Sequence, residues 1–574
     1  MTKLELLRKA KTLDDLARLL KFNQSSLAYI VYKQTDVQKY DHFPVKKKTG
    51  GYREICAPNE KLKLLQRRVD ELLQSCYADI ITNNPNNLSH DKISHGFKSK
   101  RSIVTNATPH RNKRFVFNID LQDFFGSINF GRVRGYFIAN KDFKLDPTVA
   151  TVLAQIACHK NSLPQGSPCS PVISNLIAHI LDIRLASLAK KYSCTYTRYA
   201  DDLTFSTNKR TFPSEIAICS DEVGHDWQVG YKLKKEIRNS AFEINSKKTR
   251  LQYSDSRQDV TGLVVNKKLN VKREYKKDTR AMVYSLTTTG EYIIGKDEEG
   301  KQKKGTVHQL AGKLSYIHKI SPFTEKLIDP KTGKLIVPEK VSNLTYKHFL
   351  IFKNFYYSDI PVVICEGKTD NVYIQYAIQS LKQDYPELIK INKENKSVLS
   401  IKLFKYNESS TSKILGLTGG NSLLRKFISD YIDHVKLFKQ DIHKSPVIVL
   451  LDNDSDAVGI ITMVNKIFKL TATNQDEFIH VFSNLYIVTT PILDKKKGQS
   501  LIEDFFQDDT KKIKVENKSF DIKKKHNDND SSYGKHIFAM KVVKEQASTI
   551  DFSGFKPLLD RIVKVLSDYA PTTK

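Results

Sequence analysis

The stretch RYADDLTF, residues 198–205, sets two carboxylates side by side among residues that otherwise read as strand. With TYTRYA before them and LTFS after, Asp201 and Asp202 fall at or beside a hairpin turn. Adjacent like charges repel, and a half-buried strand gains nothing from them. Upstream, a second segment alternates: Phe115, Phe117, Ile119 and Leu121 share one face, and Val116, Asn118 and Asp120 the other. Pairing the two segments in one sheet would cluster three carboxylates. Divalent cations remove the cost of such a cluster, and an all-oxygen donor set suits Mg²⁺.

The chain around this stretch is basic. Its 574 residues are 40% apolar and 27% charged, enough for more than one domain with a real core. Lys and Arg number 93 against 63 Asp and Glu, a net charge of +30. That bias points to a polyanionic partner, nucleic acid ahead of a membrane surface. With no long apolar run and no signal core in MTKLELLRKAK, the expectation is a cytoplasmic protein that does not engage a membrane. Seven cysteines (56, 76, 158, 169, 194, 219, 365) form no C-x-x-C pair, which argues against a zinc module or disulfide framework. Cys158-His159 by itself reads as no metal site. The lysine run at 523–526 fits a solvated loop.

Thr12 and Asp15 predict a capping box, and FPVKKKTGGYREICAP predicts a hairpin turning at Gly50-Gly51. Residues 80–114 are loop-like and basic, and LPQGSPCSP leads into the apolar helix VISNLIAHILDIRLASLA. Near 355 a new unit opens. IPVVICEGKTDNVYIQYAIQSL and SPVIVLLDNDSDAVG each read as a buried strand followed by acids and a helix, the alternation of a parallel α/β domain.

In their order, FNIDLQDFF, LPQGSPCSP, YADD and FEINSKKT resemble the motifs of reverse transcriptases. The resemblance implies a right-hand polymerase of mixed α/β and α+β domains: helices and fingers over 1–115, palm over 116–265, thumb and connector over 266–350. It makes Asp120, Asp201 and Asp202 the catalytic Mg²⁺ ligands of a two-metal site and places Phe125 as a steric gate for deoxynucleotides. Gln165, Arg53 and Lys248 (or its neighbour Lys247) become contacts to the incoming dNTP or its pyrophosphate. NATPH (Asn106, His110) and VTG (Val260, Thr261, Gly262) resemble the signatures of bacterial retron enzymes and imply contacts to a retron noncoding RNA. That family primes DNA synthesis from an RNA 2′-hydroxyl, giving branched multicopy single-stranded DNA.

CEGKTD and LDNDSD repeat the acidic puzzle. In a parallel sheet Glu366 and the series Asp452, Asp454, Asp456 would emerge at one carboxyl edge, a reasonable second Mg²⁺ site. With Gly419-Gly420 and IEDFF, where Glu503 and Asp504 are candidate extra ligands, the segment 355–574 resembles the nuclease branch of Toprim domains. The whole chain is thus similar to a retron enzyme of the Ec67 type with a fused Toprim domain. Such a fusion implies an anti-phage effector acting on RNA or DNA, and a homo-oligomer is compatible with it. The competing expectation is a defence-associated reverse transcriptase whose Toprim part only binds nucleic acid.

Overall fold

Threonines open the first two helices: Thr2 with Glu5 and Thr12 with Asp15 form reciprocal capping boxes before Lys3–Lys9 and Leu13–Leu19. The computed structural model describes residues 1–47, 50–83, 92–220, 226–297, 299–320, 327–328, 335–336, 341–392, 394–406, 410–439, 443–493, 498–522 and 531–569. The lysine run at 523–526 lies outside them, as does part of the expected connector. The chain divides into two units, Met1–Arg273 and Glu274–Lys574.

In the first unit, β1 (Tyr40–Lys46) and β2 (Tyr52–Pro58) form the expected hairpin, with His42 opposite Cys56. Gly50 and Gly51 both take positive φ, which a side chain there would resist. A five-stranded antiparallel sheet follows. Its centre is β3 (Phe115–Gln122), flanked by β5 (Asp202–Thr207), which in turn pairs with β4 (Thr195–Tyr199). Two short strands, Glu243–Ile244 and Arg250–Tyr253, complete it against β3.

The two faces that alternate along β3 are both buried. Phe117, Ile119 and Leu121 join the main core, while Val116, Asn118 and Asp120 are covered on the other side. Asn118 explains how a polar residue tolerates this. Its amide donates to the Asp259 carbonyl at 3.0 Å and to Gln252 Oε1 at 3.2 Å, and its oxygen accepts from Thr204 Oγ1. The helix Ser170–Lys191 packs beneath the sheet. By length and composition it could cross a membrane, but 61% of its apolar window is buried inside the protein, as in a core helix.

The second unit holds a five-stranded sheet in the order Lys402–Leu403, Val362–Cys365, Val447–Leu451, Leu485–Thr489, Ile479–Phe482. The first four strands are parallel and the last antiparallel. Alternate residues feed two cores, one on each face: Val362, Ile364, Val447 and Val449 on one side, Val363, Cys365, Ile448 and Leu450 on the other. Burial on both faces is why these strands read as unbroken apolar runs. The first of those cores also takes in Val283, Leu310, Leu314, Phe349 and Phe355. A stretch the sequence suggested as separate thumb and connector therefore packs with this sheet.

Candidate active sites

Tyr199 pairs with Asp202 across β4 and β5, leaving Ala200 and Asp201 as a two-residue turn. Ala200 sits at φ +56°, a left-handed conformation costly for a residue with a Cβ. Two neighbours hold it there. A Cβ on Gly96 would meet the Ala200 nitrogen at 2.6 Å, so only glycine lets the 93–96 segment lie against the turn. From below, Arg198 donates to the Ala200 carbonyl at 3.1 Å.

Register brings the acids together: Asp120 stands opposite Asp202, and the Leu121 amide donates to the Asp201 carbonyl at 3.0 Å. Asp120 is buried, and its two oxygens accept from Lys248 Nζ at 2.7 Å and Asn245 Nδ2 at 3.1 Å. Desolvation, with Asp120 as a negative neighbour, raises the Asp201 carboxyl above its ordinary value. Asp202 keeps an exposed edge. Even so, loss of solvation, then Asp201 and Asp120, pushes its acid up to about 6. Three oxygen-donor side chains, two of them with their acids raised by burial and by one another, fit a divalent cation.

The cleft above them has a volume of about 680 Å³ and is lined by Asp120, Asp201, Arg53, Phe125, Gln165 and Lys248 among others. The expected nucleotide contacts thus converge on the acids. Phe125 is propped by Phe124 and Phe97, with ring centroids 5.4 and 6.2 Å away. The Gln165 carbonyl accepts from the Cys56 amide at 2.9 Å, which ties the LPQG loop to the β1–β2 hairpin that carries Arg53.

The expected RNA contacts need correction. Asn106 and His110 are fully buried. His110 is clamped between strands, Nδ1 against Ser206 Oγ at 2.7 Å and Nε2 against Thr197 Oγ1 at 2.8 Å. Burial pushes its pKa down to about 3, so it is a neutral internal strut. Val260 is buried as well. Thr261 and Gly262 form a left-handed two-residue turn between Asp259–Val260 and Leu263–Val264, and Thr261 Oγ1 donates to the Ile103 carbonyl at 3.3 Å. The helix Ile103–Ala107, which carries Asn106, therefore packs on the hairpin that carries VTG, and Gly262 alone of these five residues is exposed.

In the second unit Glu366 and Asp452 follow adjacent parallel strands, as expected. Glu366 Oε2 accepts from the Asp452 amide at 3.2 Å, and Asp452 Oδ1 accepts from the Ile502 amide at 2.9 Å. Burial, then Asp370, Glu366 and Glu503, pushes the Asp452 acid up to about 8. Asp454 takes a different part from the ligand role expected of it. It caps the helix Ser455–Phe468, accepting from the Asp456 and Ala457 amides at 2.9 and 3.1 Å. Asp456 does line the cleft of about 890 Å³, together with Glu366, Asp370, Arg425, Asp452 and Lys535. Glu503 is wholly buried and 2.9 Å from Lys535 Nζ, while Asp504 accepts the Leu501 amide in a local cap. Gly419 and Gly420, both at positive φ, deliver the N-terminus of the helix Asn421–Val435 to this cleft.

Sequence reasoning missed Asn245, Arg198 with its partner Asp182, Asp370 as a member of the cleft, Lys535 and Arg425. Asp370 and Asn245 lie within the quoted motifs CEGKTD and FEINSKKT, and Asp182 left a signal as a lone acid inside an apolar helix.

The palm-type sheet with its acidic turn defines a nucleotidyl-transferring polymerase of the reverse transcriptase class. The family model described as Reverse transcriptase (RNA-dependent DNA polymerase) matches residues 45–278. Over 331 residues the chain is 34% identical to the retron Mx65 reverse transcriptase of Myxococcus xanthus, covering 54% of this chain and 69% of that one. Over 326 residues it is 31% identical to the retron Ec86 reverse transcriptase of Escherichia coli, covering 56% and 89%. The chain belongs to the retron reverse transcriptases. Among solved structures, a telomerase from Candida tropicalis aligns over 44% of this chain and 61% of that chain at 12% identity, with a TM-score of 0.29, too slight a likeness to carry any argument.

Proposed function

We propose that this chain, acting in the cytoplasm, copies a structured retron RNA into branched multicopy single-stranded DNA, priming from an RNA 2′-hydroxyl. The observation that carries the reading is the packing of the helix Ile103–Ala107, where NATPH begins, on the VTG hairpin beside the acidic sheet, which brings the two retron-type signatures into one structural neighbourhood. Bound Mg²⁺ would activate the attacking hydroxyl and neutralise charge on the leaving pyrophosphate. Asp120, Asp201 and Asp202 would hold it. Arg53 presents forked donors to the triphosphate, and Phe125 bars a ribose 2′-hydroxyl. Lys248, once released from Asp120, faces the pyrophosphate with a proton to give.

The second unit is, on this reading, a Toprim-type nuclease of an anti-phage system, with Glu366, Asp452 and Asp456 around Mg²⁺ and RNA or DNA as its target. Clustered buried acids at the carboxyl edge of a parallel sheet support it. A binding-only module is the second reading. It is favoured by Lys535, whose ammonium sits at Glu503 and offsets the charge of the cluster without a metal.

The test is native expression with flanking DNA, followed by recovery of the nucleic acid that copurifies. A short DNA with a branched RNA remnant, absent in Asp201→Asn, supports the proposal. DNA that persists in Asp201→Asn overturns it. Loss of phage protection in Glu366→Gln, with DNA synthesis intact, selects nuclease over binding module.

A further inference from the structure

At the rim of the first acidic cleft, whose lining includes Cys56 and Glu54, three side chains from three segments converge. His42 and Cys56 are cross-strand partners in the β1–β2 hairpin, and His159 follows the helix Pro147–Ala157. One donor atom from each lies within 4.8 Å of those of the other two. The imidazoles meet nitrogen to nitrogen, His42 Nε2 to His159 Nε2 at 3.2 Å. Each turns its other nitrogen toward a carboxylate: His42 Nδ1 lies 2.9 Å from Glu54 Oε1, and His159 Nδ1 lies 3.8 Å from Asp36 Oδ1. Cys56 Sγ is 3.6 Å from His42 Nδ1, so a small turn of its χ1 is needed to bring the sulfur to an ion held at the two Nε2 atoms. The His159 side chain is 3% exposed, and its Nδ1 has no hydrogen-bond partner.

We propose that His42, His159 and Cys56 bind one Zn²⁺ ion. With Zn–N bonds of about 2.0–2.1 Å, two imidazole nitrogens on a tetrahedral ion stand roughly 3.3 Å apart, close to the separation observed. Nitrogen and sulfur donors select Zn²⁺ over Mg²⁺. Glu54, 2.9 Å from His42 Nδ1, supplies the outer-shell acceptor that fixes the tautomer of a zinc-bound histidine. On binding, the Cys56 S–H bond is replaced by S–Zn, and the proton leaves to solvent. The fourth position falls to water.

The ion would work as a brace. The Cys56 amide already donates to Gln165, and a Cβ on Gly166 would meet the Cys56 carbonyl at 2.6 Å. Metal at Cys56 would fix the hairpin that carries Arg53 against the loop that carries Gln165. No spacing motif announces the site, because its ligands lie at positions 42, 56 and 159.

The test uses full-length protein stripped of metal, then titrated with Co²⁺ in excess Mg²⁺ so that the carboxylate clefts are filled. One equivalent should give tetrahedral cobalt bands with a thiolate-to-cobalt charge-transfer absorption that Zn²⁺ abolishes. Cys56→Ser should lose the charge-transfer band, and Cys158→Ser should keep it. Glu54→Gln should weaken Zn²⁺ affinity about 10- to 100-fold. His42→Ala, at a partly exposed position that tolerates truncation, should lose stoichiometric binding. Absence of the band, or a band unchanged in Cys56→Ser, overturns the proposal.

Discussion

Arg198 and Asp182 form a two-pronged ion pair with no solvent contact: Nε to Oδ1 and Nη2 to Oδ2, both 2.8 Å. The remaining nitrogen reaches the Ala200 carbonyl and Asn175 Oδ1, and Tyr196 donates its hydroxyl to Asp182 at 3.0 Å. The pair therefore sets the strained turn that presents Asp201. Asp182→Ala leaves a buried guanidinium unpaired and should destabilise the first unit by about 3–5 kcal/mol, read by urea denaturation. Arg198→Lys keeps the charge but cannot span both partners. It should lower kcat for DNA synthesis more than it raises KM. Equal loss of both would point to a general folding defect.

The acid of Asp202, lifted to about 6, competes with metal for the carboxylate. At fixed, subsaturating Mg²⁺ the rate of DNA synthesis should climb as pH rises through about 6. The rise should shift to lower pH as Mg²⁺ increases. A profile insensitive to Mg²⁺ would assign the titration to another group.

Asp452 works against stability in a calculable direction. Its acid is raised to about 8, so the folded state holds a proton that the unfolded chain releases near its ordinary value. Stability of the metal-free protein is fullest below that ordinary value and falls as pH rises toward 8. Asp452→Asn should therefore raise the Tm of metal-free protein at pH 8 and abolish its gain in Tm on adding Mg²⁺. Thermal melts at pH 5 and pH 8, with and without Mg²⁺, check both.

Phe125 is held by two aromatic neighbours at the edge of the cleft that Asp120 and Asp201 line. Phe125→Ala opens that edge. Ribonucleotide incorporation should increase at least tenfold relative to the matching deoxynucleotide, measured in single-nucleotide extension on an RNA template.

His110 joins β4 to β5 through Thr197 and Ser206. His110→Ala should cost about 2–4 kcal/mol through the cavity and the orphaned hydroxyls. RNA affinity per folded molecule should stay within twofold. A large loss of affinity in a fully folded variant would restore the RNA-contact reading.

The sequence by itself determined the acidic turn, the hairpin at Gly50-Gly51, the Thr12 capping box and the strands that deliver Glu366 and Asp452, because each depends on residues close together in the chain. Period, turn chemistry and a capping side chain act over a few positions. Tertiary structure alone decided the rest. NATPH and VTG read as surface signatures until packing buried Asn106, His110 and Val260. Asp454 could not be told from a ligand until the Asp456 and Ala457 amides claimed it. Arg198 found Asp182, and His42 and Cys56 found His159, only when distant segments met. Burial and partnership are properties of the folded chain, and so a side chain's type and spacing left its neighbours undetermined.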